Sequence, residues 1–212
     1  MPLQSRVDPW GRLNAVSERG AWLGNRGCLV DDERNIVRPW RLRAWITCEL
    51  EWKGKRRPVF APKTWTELFF LDEATAFAAG HRPCAFCRRS RYTEFKSAWL
   101  AANPGLVAAN PPVAEIDRVL QRERVAPDGG KQASRMQYGD LPVGTFIELQ
   151  GDAHVVLPGA LERWSFGGYA QAEAPAAGQV VSVLTPPSVV RMFRAGFRPQ
   201  IDASATIPRV PT

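Results

Sequence analysis

The sequence is poor in histidine and has no long apolar run, and both shortages argue against whole classes of function. Its two histidines, His81 and His154, are too few for the histidine-based metal motif of an HNH-type nuclease. It has no Gly-x-x-x-x-Gly-Lys-Ser/Thr loop, which argues against nucleotide hydrolysis. No stretch approaches the roughly 18 apolar residues of a membrane span, and residues 1–6 offer no apolar segment for a signal peptide. With only four cysteines, the composition favours a reducing cytoplasm.

What the sequence does contain is a Cys-x2-Cys pair, formed by Cys84 and Cys87 within Gly-His-Arg-Pro-Cys-Ala-Phe-Cys at 80–87. Two thiolates at a tight turn are the usual geometry for half of a tetrahedral zinc site. The short spacing also costs little loop-closure entropy. Cys28 and Cys48 lie upstream, so four thiols are available. The spacing predicts zinc, and it leaves open a pair of free, partly buried thiols or a redox pair.

The positive charge of the chain is concentrated around these cysteines. The formal net charge is +7, and residues 34–96 hold 14 lysines and arginines against 6 aspartates and glutamates. The rest of the chain is close to neutral. A local field of this kind attracts a polyanion, and nucleic acid is the default partner. A solvated basic surface is the alternative that the charge alone leaves open.

Local signals divide the chain into short helices and strands. Asp72 is a good N-cap for a helix over 73–79, and Gly80 is a good stop for it. Further apolar patterns and turn residues predict the remaining elements. We predict helices over 90–102, 112–125 and 188–195, an extended segment over 36–50, strands over 67–71, 145–149, 154–157, 161–166 and 179–184, and a linker or loop over 126–140.

These elements predict an α+β protein. We expect a small zinc-stabilised α+β module with an N-terminal arm over 1–110, then a helix and linker over 111–140. A β-rich module with one short helix, of unknown role, would follow over 141–212.

Residues 73–88 resemble the metal-binding domain of the Ada family, the bacterial adaptive-response proteins that sense and repair alkylated DNA. That family shows a Glu/Ala-type helix ending in Ala-Ala-Gly-(aromatic)-Arg-Pro-Cys-x-x-Cys with a basic tail, and residues 78–87 of this sequence are Ala-Ala-Gly-His-Arg-Pro-Cys-Ala-Phe-Cys. A looser match extends back through Phe69 and Phe70 to the segment Trp-Ile-Thr-Cys at 45–48. The resemblance covers about residues 44–92, less than a quarter of the chain.

The resemblance implies a zinc site and assigns roles to three cysteines. In the family four cysteines bind zinc, and the first takes a methyl group from a DNA phosphotriester. By position Cys48 matches that first cysteine and is the possible methyl acceptor, while Cys84 and Cys87 match the last two. The second family cysteine falls on Trp52 here. Cys28 is the first choice for the fourth ligand, and His81 is the second.

Together, charge and resemblance predict a zinc-dependent DNA-binding protein of a damage-response or repair type. Contacts to phosphate would give affinity without sequence specificity. The candidate phosphate-binding residues are Arg43, Lys53, Lys55, Arg56, Arg57, Arg88, Arg89 and Arg91. Two alternatives stay open. One is an enzyme acting on nucleic acid, with unidentified catalytic groups in the C-terminal module, where Glu148, Asp152 and Glu162 could share a cleft, and with a purely structural zinc. The other is a protein-interaction adaptor.

Overall fold

The structure is a computed structural model that describes residues 2–56, 59–60 and 64–206. Helices and two six-stranded sheets occur together, which confirms the predicted α+β class. The helices are α1 (Glu73–Ala78), α2 (Arg89–Ala102), α3 (Val113–Arg124) and α4 (Pro187–Arg194), with a 3₁₀ turn over Tyr138–Asp140. The strands are β1 (Arg6–Val7), β2 (Leu13–Asn14), β3 (Trp22–Asn25), β4 (Ile46–Cys48), β5 (Glu51–Trp52), β6 (Lys55–Arg56), β7 (Leu68–Phe70), β8 (Arg82–Pro83), β9 (Ser134–Gln137), β10 (Phe146–Leu149), β11 (Asp152–Leu157), β12 (Ala160–Ser165), β13 (Gly168–Ala172) and β14 (Val180–Val183).

The first sheet is mixed and has the order β2-β1-β7-β3-β4-β8. Strand β3 pairs antiparallel with both β4 and β7, whereas β8 lies parallel to β4 at the sheet edge. Helix α1 connects β7 to β8, so the chain crosses from one side of β3 to the other through this helix. The strands β5 and β6 form a separate two-stranded hairpin directly after β4.

The second sheet is antiparallel and has the order β13-β12-β11-β10-β14-β9. Strands β10 and β11, which match the strands predicted over 145–149 and 154–157, pair as an antiparallel hairpin. Gln150 and Gly151 occupy its turn with φ angles of 53° and 86°, which suits the right-handed twist of the two strands. The interpretation of 126–140 as a linker is wrong for Ser134–Gln137, because these residues pair with β14 at the sheet edge.

Helix α1 is buried along its whole length and belongs to three different hydrophobic clusters. Phe77 packs with residues of α2, α3 and α4, including Trp99 and Phe193. Ala74 and Ala78 pack against the second sheet, and Ala76 packs against the first sheet. The clusters therefore contain residues from both sides of the boundary predicted near residue 110, and the division into modules stays a prediction.

The N-terminus of α1 is held by two buried carboxylates. Asp72 accepts hydrogen bonds from the backbone N–H and the hydroxyl of Thr75, as the capping prediction requires, and from the Tyr169 hydroxyl at 2.7 Å. Glu73 binds Arg88 and Arg91 at 2.7 and 2.6 Å. Burial raises the pKa of Asp72, while the hydrogen bonds from Thr75 and Tyr169 oppose that rise. Each buried carboxylate is thus matched by donors, as a buried charge requires.

Helix α3 is fixed to the first sheet by a buried ion pair. Arg82 in β8 binds Asp117 in α3 through two parallel hydrogen bonds of 2.7 and 2.8 Å.

In the part of the chain described, no helix is both long and apolar enough to cross a membrane.

Candidate metal centre

The parallel pairing of β4 with β8 brings Cys48 next to the Cys-x2-Cys turn. Thr47 lies opposite Pro83 in this pairing. The backbone N–H of Cys84 donates to the carbonyl of Thr47 at 2.9 Å. Cys48 ends β4 and Cys84 directly follows β8, so their side chains start from adjacent backbone positions that are 36 residues apart in sequence.

The residues after α1 lead the backbone into the Cys-x2-Cys turn. Gly80 has a φ of 88°, the left-handed region that favours glycine. A Cβ added there would lie 2.4 Å from Cδ of Arg124, so a side chain would collide with a buried neighbour. After Cys84, the backbone N–H of Phe86 donates to the Cys84 sulfur at 3.4 Å, and α2 begins two residues after Cys87. The turn is therefore fixed on both sides by helices.

The structure brings together three of the four predicted metal ligands. The sulfur atoms of Cys48, Cys84 and Cys87 all lie within 4.8 Å of one another. Cys48 and Cys84 are each 8 % exposed, and Cys87 is half-buried. Sulfur atoms bound to one tetrahedral metal are about 4 Å apart, given metal–sulfur bonds of roughly 2.3 Å. This group of three cysteines, the cysteine triad, can hold a metal ion.

The three cysteines of the triad shift one another's pKa values. Hydrogen bonds from Cys48 and Cys87 lower the pKa of Cys84, with backbone N–H groups acting in the same direction. The same contacts, together with burial, raise the pKa of Cys48. A lowered pKa favours the thiolate form of Cys84, which is the form that binds a soft cation.

Neither candidate for a fourth protein ligand belongs to the triad. Cys28 lies in the loop after β3, with its sulfur 3.6 Å from the carbonyl of Val30. His81 is buried, and its Nε2 accepts a hydrogen bond from Arg26 at 3.1 Å. Burial and the charges of Arg26, Arg124 and Lys131 hold the pKa of His81 well below its usual value. Within the described residues, the ligand group therefore contains three cysteines.

The His81 ring is part of a buried stack of aromatic rings and cations. Its centroid lies 5.1 Å from that of Trp45 and 4.6 Å from that of Phe70. The guanidinium carbons of Arg26 and Arg124 each lie 3.9 Å from the Trp45 ring centroid. His81, three residues before Cys84, is thus packed in the protein interior next to the Cys-x2-Cys turn in sequence.

Trp52 packs on the Cys-x2-Cys turn. It is the residue that the resemblance matches to the second cysteine of the Ada family. Its ring centroid lies 4.6 Å from that of Phe86, one of the two residues between the turn cysteines. Nζ of Lys53 lies 4.6 Å from the Trp52 ring centroid. The hairpin of β5 and β6 therefore contacts the Cys-x2-Cys turn through a pair of aromatic rings.

Two of the predicted phosphate-binding arginines are engaged inside the protein. Arg88 is buried, binds Glu73, and its guanidinium carbon lies 3.9 Å from the Trp22 ring centroid. Arg91 is partly buried between Glu73 and Glu94. Both positive charges are thus paired with the buried carboxylate of Glu73.

Three other candidates are exposed, and each lies within five residues of a triad cysteine. They are Arg43, Lys53 and Arg89. Arg57 lies outside the described residues, as do the side chains of Lys55 and Arg56. The predicted concentration of positive charge is therefore partly internal and partly on the surface.

Sequence reasoning missed the importance of Glu73. It was assigned only to the body of the helix, yet its buried carboxylate binds both arginines that flank the start of α2. It also accepts the backbone N–H of Gln200 at 3.0 Å. The arginine-rich stretch after Cys87 hinted at such a partner, but nothing in the sequence identified which acid it would be.

The second sheet carries a separate polar cavity of about 940 Å³. Glu148, Asp152, His154 and Arg163 are among its lining residues. Two of the three acidic candidates in this half thus share a cavity. Glu162 does not line it, because its carboxylate is buried and accepts the backbone N–H of Thr206.

Comparisons of the chain with protein-family models, with curated proteins and with solved structures found no match.

Replacing Cys28 by serine should leave metal binding unchanged, because its sulfur contacts the Val30 carbonyl rather than the triad. Cys84→Ser should lower the metal affinity at least about tenfold, since it removes one of three thiolate ligands. Metal content of the purified variants and competition with a coloured chelator measure both effects. Loss of metal from Cys28→Ser in a folded protein would contradict this assignment.

Proposed function

We propose that this protein is a zinc-dependent DNA-binding protein of a damage-response or repair type. The observation that carries the proposal is the cysteine triad, which lies beside the hairpin of β5 and β6 and directly before the exposed Arg89 at the start of α2. The resemblance of residues 73–88 to the Ada metal-binding domain adds the DNA-repair context.

Zinc suits the triad because thiolates are soft ligands and zinc accepts them in tetrahedral sites. When bound, zinc would hold the sulfurs of Cys48, Cys84 and Cys87 as thiolates. The metal would then connect β4 to the turn before α2 by bonds that add to the backbone pairing of β4 and β8. Such a connection stabilises the folded state, because a preformed site rarely exists in the unfolded chain.

Phosphate contacts would come from the exposed residues near the triad. Arg43, Lys53 and Arg89 are exposed, and the hairpin sequence adds Lys55, Arg56 and Arg57. Arg88 and Arg91 would act indirectly, because their pairing with Glu73 fixes the start of α2, from which Arg89 projects. Binding of this kind depends on charge and is insensitive to base sequence.

Reversing two exposed charges should therefore weaken DNA binding. We expect Lys53→Glu combined with Arg89→Glu to lower the affinity for a duplex at least about tenfold and to reduce the salt dependence, which changes by about 0.9 per phosphate contact. Fluorescence anisotropy at several salt concentrations measures both quantities.

The matched control is Arg118→Glu with Arg122→Glu, which changes the net charge equally on the exposed side of α3. Equal loss of affinity in both double variants would show that only the overall charge matters. Absence of binding by the unaltered, zinc-loaded protein would refute the proposed function.

Methyl transfer to Cys48 is a separate question, and the structure favours a structural role for this sulfur. Cys48 is 8 % exposed, and a sulfur that attacks a methyl phosphotriester must reach the methyl carbon directly. We expect incubation with DNA carrying methyl phosphotriesters to leave the mass of the Cys48 peptide unchanged. An added methyl group on Cys48 would instead establish the acceptor activity that the resemblance implies.

A second candidate function is an enzyme acting on nucleic acid through the cavity of the second sheet. The observation in its favour is that Asp152, His154 and Arg163 line one polar cavity of about 940 Å³. Arg163 pairs with Asp152 at 3.7 Å, and Nδ1 of His154 lies 3.2 Å from the Asp152 carbonyl.

If this candidate is right, Asp152→Asn should abolish nucleic-acid cleavage while leaving DNA affinity intact. Asp140→Asn, at an exposed aspartate outside the cavity, should leave cleavage unchanged. Gel analysis of end-labelled DNA and RNA measures the activity. No cleavage of any substrate by the unaltered protein would leave DNA binding as the sole candidate.

A further inference from the structure

The most exposed large apolar side chain among the described residues is Phe86, at 71 %. It lies between the two turn cysteines, Cys84 and Cys87. Its backbone is fixed, since its N–H donates to the Cys84 sulfur and α2 begins directly after the turn. Exposing an aromatic ring costs hydrophobic free energy, and this ring is exposed from a fixed backbone beside two candidate metal ligands.

A second aromatic ring extends this surface. Trp52 in β5 is partly exposed and lies with its ring centroid 4.6 Å from that of Phe86. The Lys53 ammonium group lies over the Trp52 ring, with Nζ 4.6 Å from the ring centroid. We call Phe86, Trp52 and Lys53 the aromatic platform.

We propose that the aromatic platform binds an unpaired nucleobase, which stacks on Phe86 while Lys53 contacts the adjoining phosphate. This inference rests on the proposed DNA-binding function and specifies its substrate class as single-stranded or locally unpaired nucleic acid. Stacking on aromatic rings within a positively charged surface is the usual way in which proteins bind single strands without reading their sequence.

The charge around the platform favours this occupant over an apolar protein segment. Lys53 is at its edge, Lys55 and Arg56 belong to the same hairpin, and exposed Arg89 follows Cys87 by two residues. Each stacked base brings a phosphate with it, so one strand would satisfy the rings and the cations together. A paired base presents no open face to the ring, so the platform would discriminate against an intact duplex.

The test compares single-stranded and duplex affinity in variants of the exposed ring. Phe86→Ala should weaken binding of a labelled oligothymidine of about 12 nucleotides by about 5- to 100-fold, the range for losing one aromatic stacking partner. Phe86→Leu should weaken it nearly as much, because leucine keeps apolar area but has no π face. Both variants should bind a duplex of the same length within about twofold of the unaltered protein.

The control is Leu106→Ala, which truncates an apolar side chain that is 43 % exposed in the loop between α2 and α3. It should bind both probes normally. Metal content of the Phe86 variants confirms that the cysteine triad is intact, so a loss of affinity cannot be assigned to unfolding of the turn. A 5-iodouracil oligonucleotide, cross-linked by light, should attach to the peptide that contains Phe86.

The outcomes separate this inference from the function on which it rests. If the unaltered protein binds DNA with steep salt dependence but Phe86→Ala binds single strands normally, the inference is wrong and the proposed function stands. If Phe86→Leu retains full affinity, the ring contributes apolar area rather than stacking, and the inference is again wrong. If the unaltered protein binds neither probe, both proposals are refuted.

Discussion

The complete burial of α1, together with its two carboxylates, is the constraint on which the rest of the structure depends. A six-residue helix contributes to three hydrophobic clusters. It can do so because most of its side chains are small enough for both sheets and the helical layer to approach it. Asp72 and Glu73 at its start are buried with several donors each. A buried carboxylate is costly unless it is paired and hydrogen-bonded. These contacts therefore fix the position of α1 relative to the first sheet, the second sheet and the helices α2 to α4.

The same constraint determines where the metal centre lies and how much positive charge reaches the surface. The exit of α1 at Gly80 places β8 alongside β4, and Cys84 therefore comes next to Cys48. At the other end of the helix, Glu73 binds Arg88 and Arg91, which removes two cations from the surface that the sequence had suggested. The proposed nucleic-acid surface consequently depends on fewer residues, among them Lys53 beside the aromatic pair of Trp52 and Phe86.

Features encoded by a few neighbouring residues could be predicted from the sequence. The Asp72 cap, the glycine stop of α1 and the bounds of α2, α3 and α4 agree with the predictions within one residue at each end, because capping and periodicity act over single turns. The edge strand β9 was not predicted, since four residues of mixed polarity gain their pairing only from β14. Strand β13 at the opposite edge of the sheet, which pairs only with β12, was missed for the same reason.

By itself the sequence determined that a Cys-x2-Cys turn follows a capped helix and that positive charge is concentrated around it. The resemblance, which rests on short local segments, also identified Cys48 as a partner of Cys84 and Cys87. Only the tertiary structure decided that Cys48 meets the turn while Cys28 does not, because that choice depends on which strands pair across long stretches of chain. It also decided that Trp52 packs on Phe86, and that Glu73 rather than solvent or a ligand receives Arg88. These contacts join residues distant in sequence, and their energies depend on burial, which no local pattern specifies.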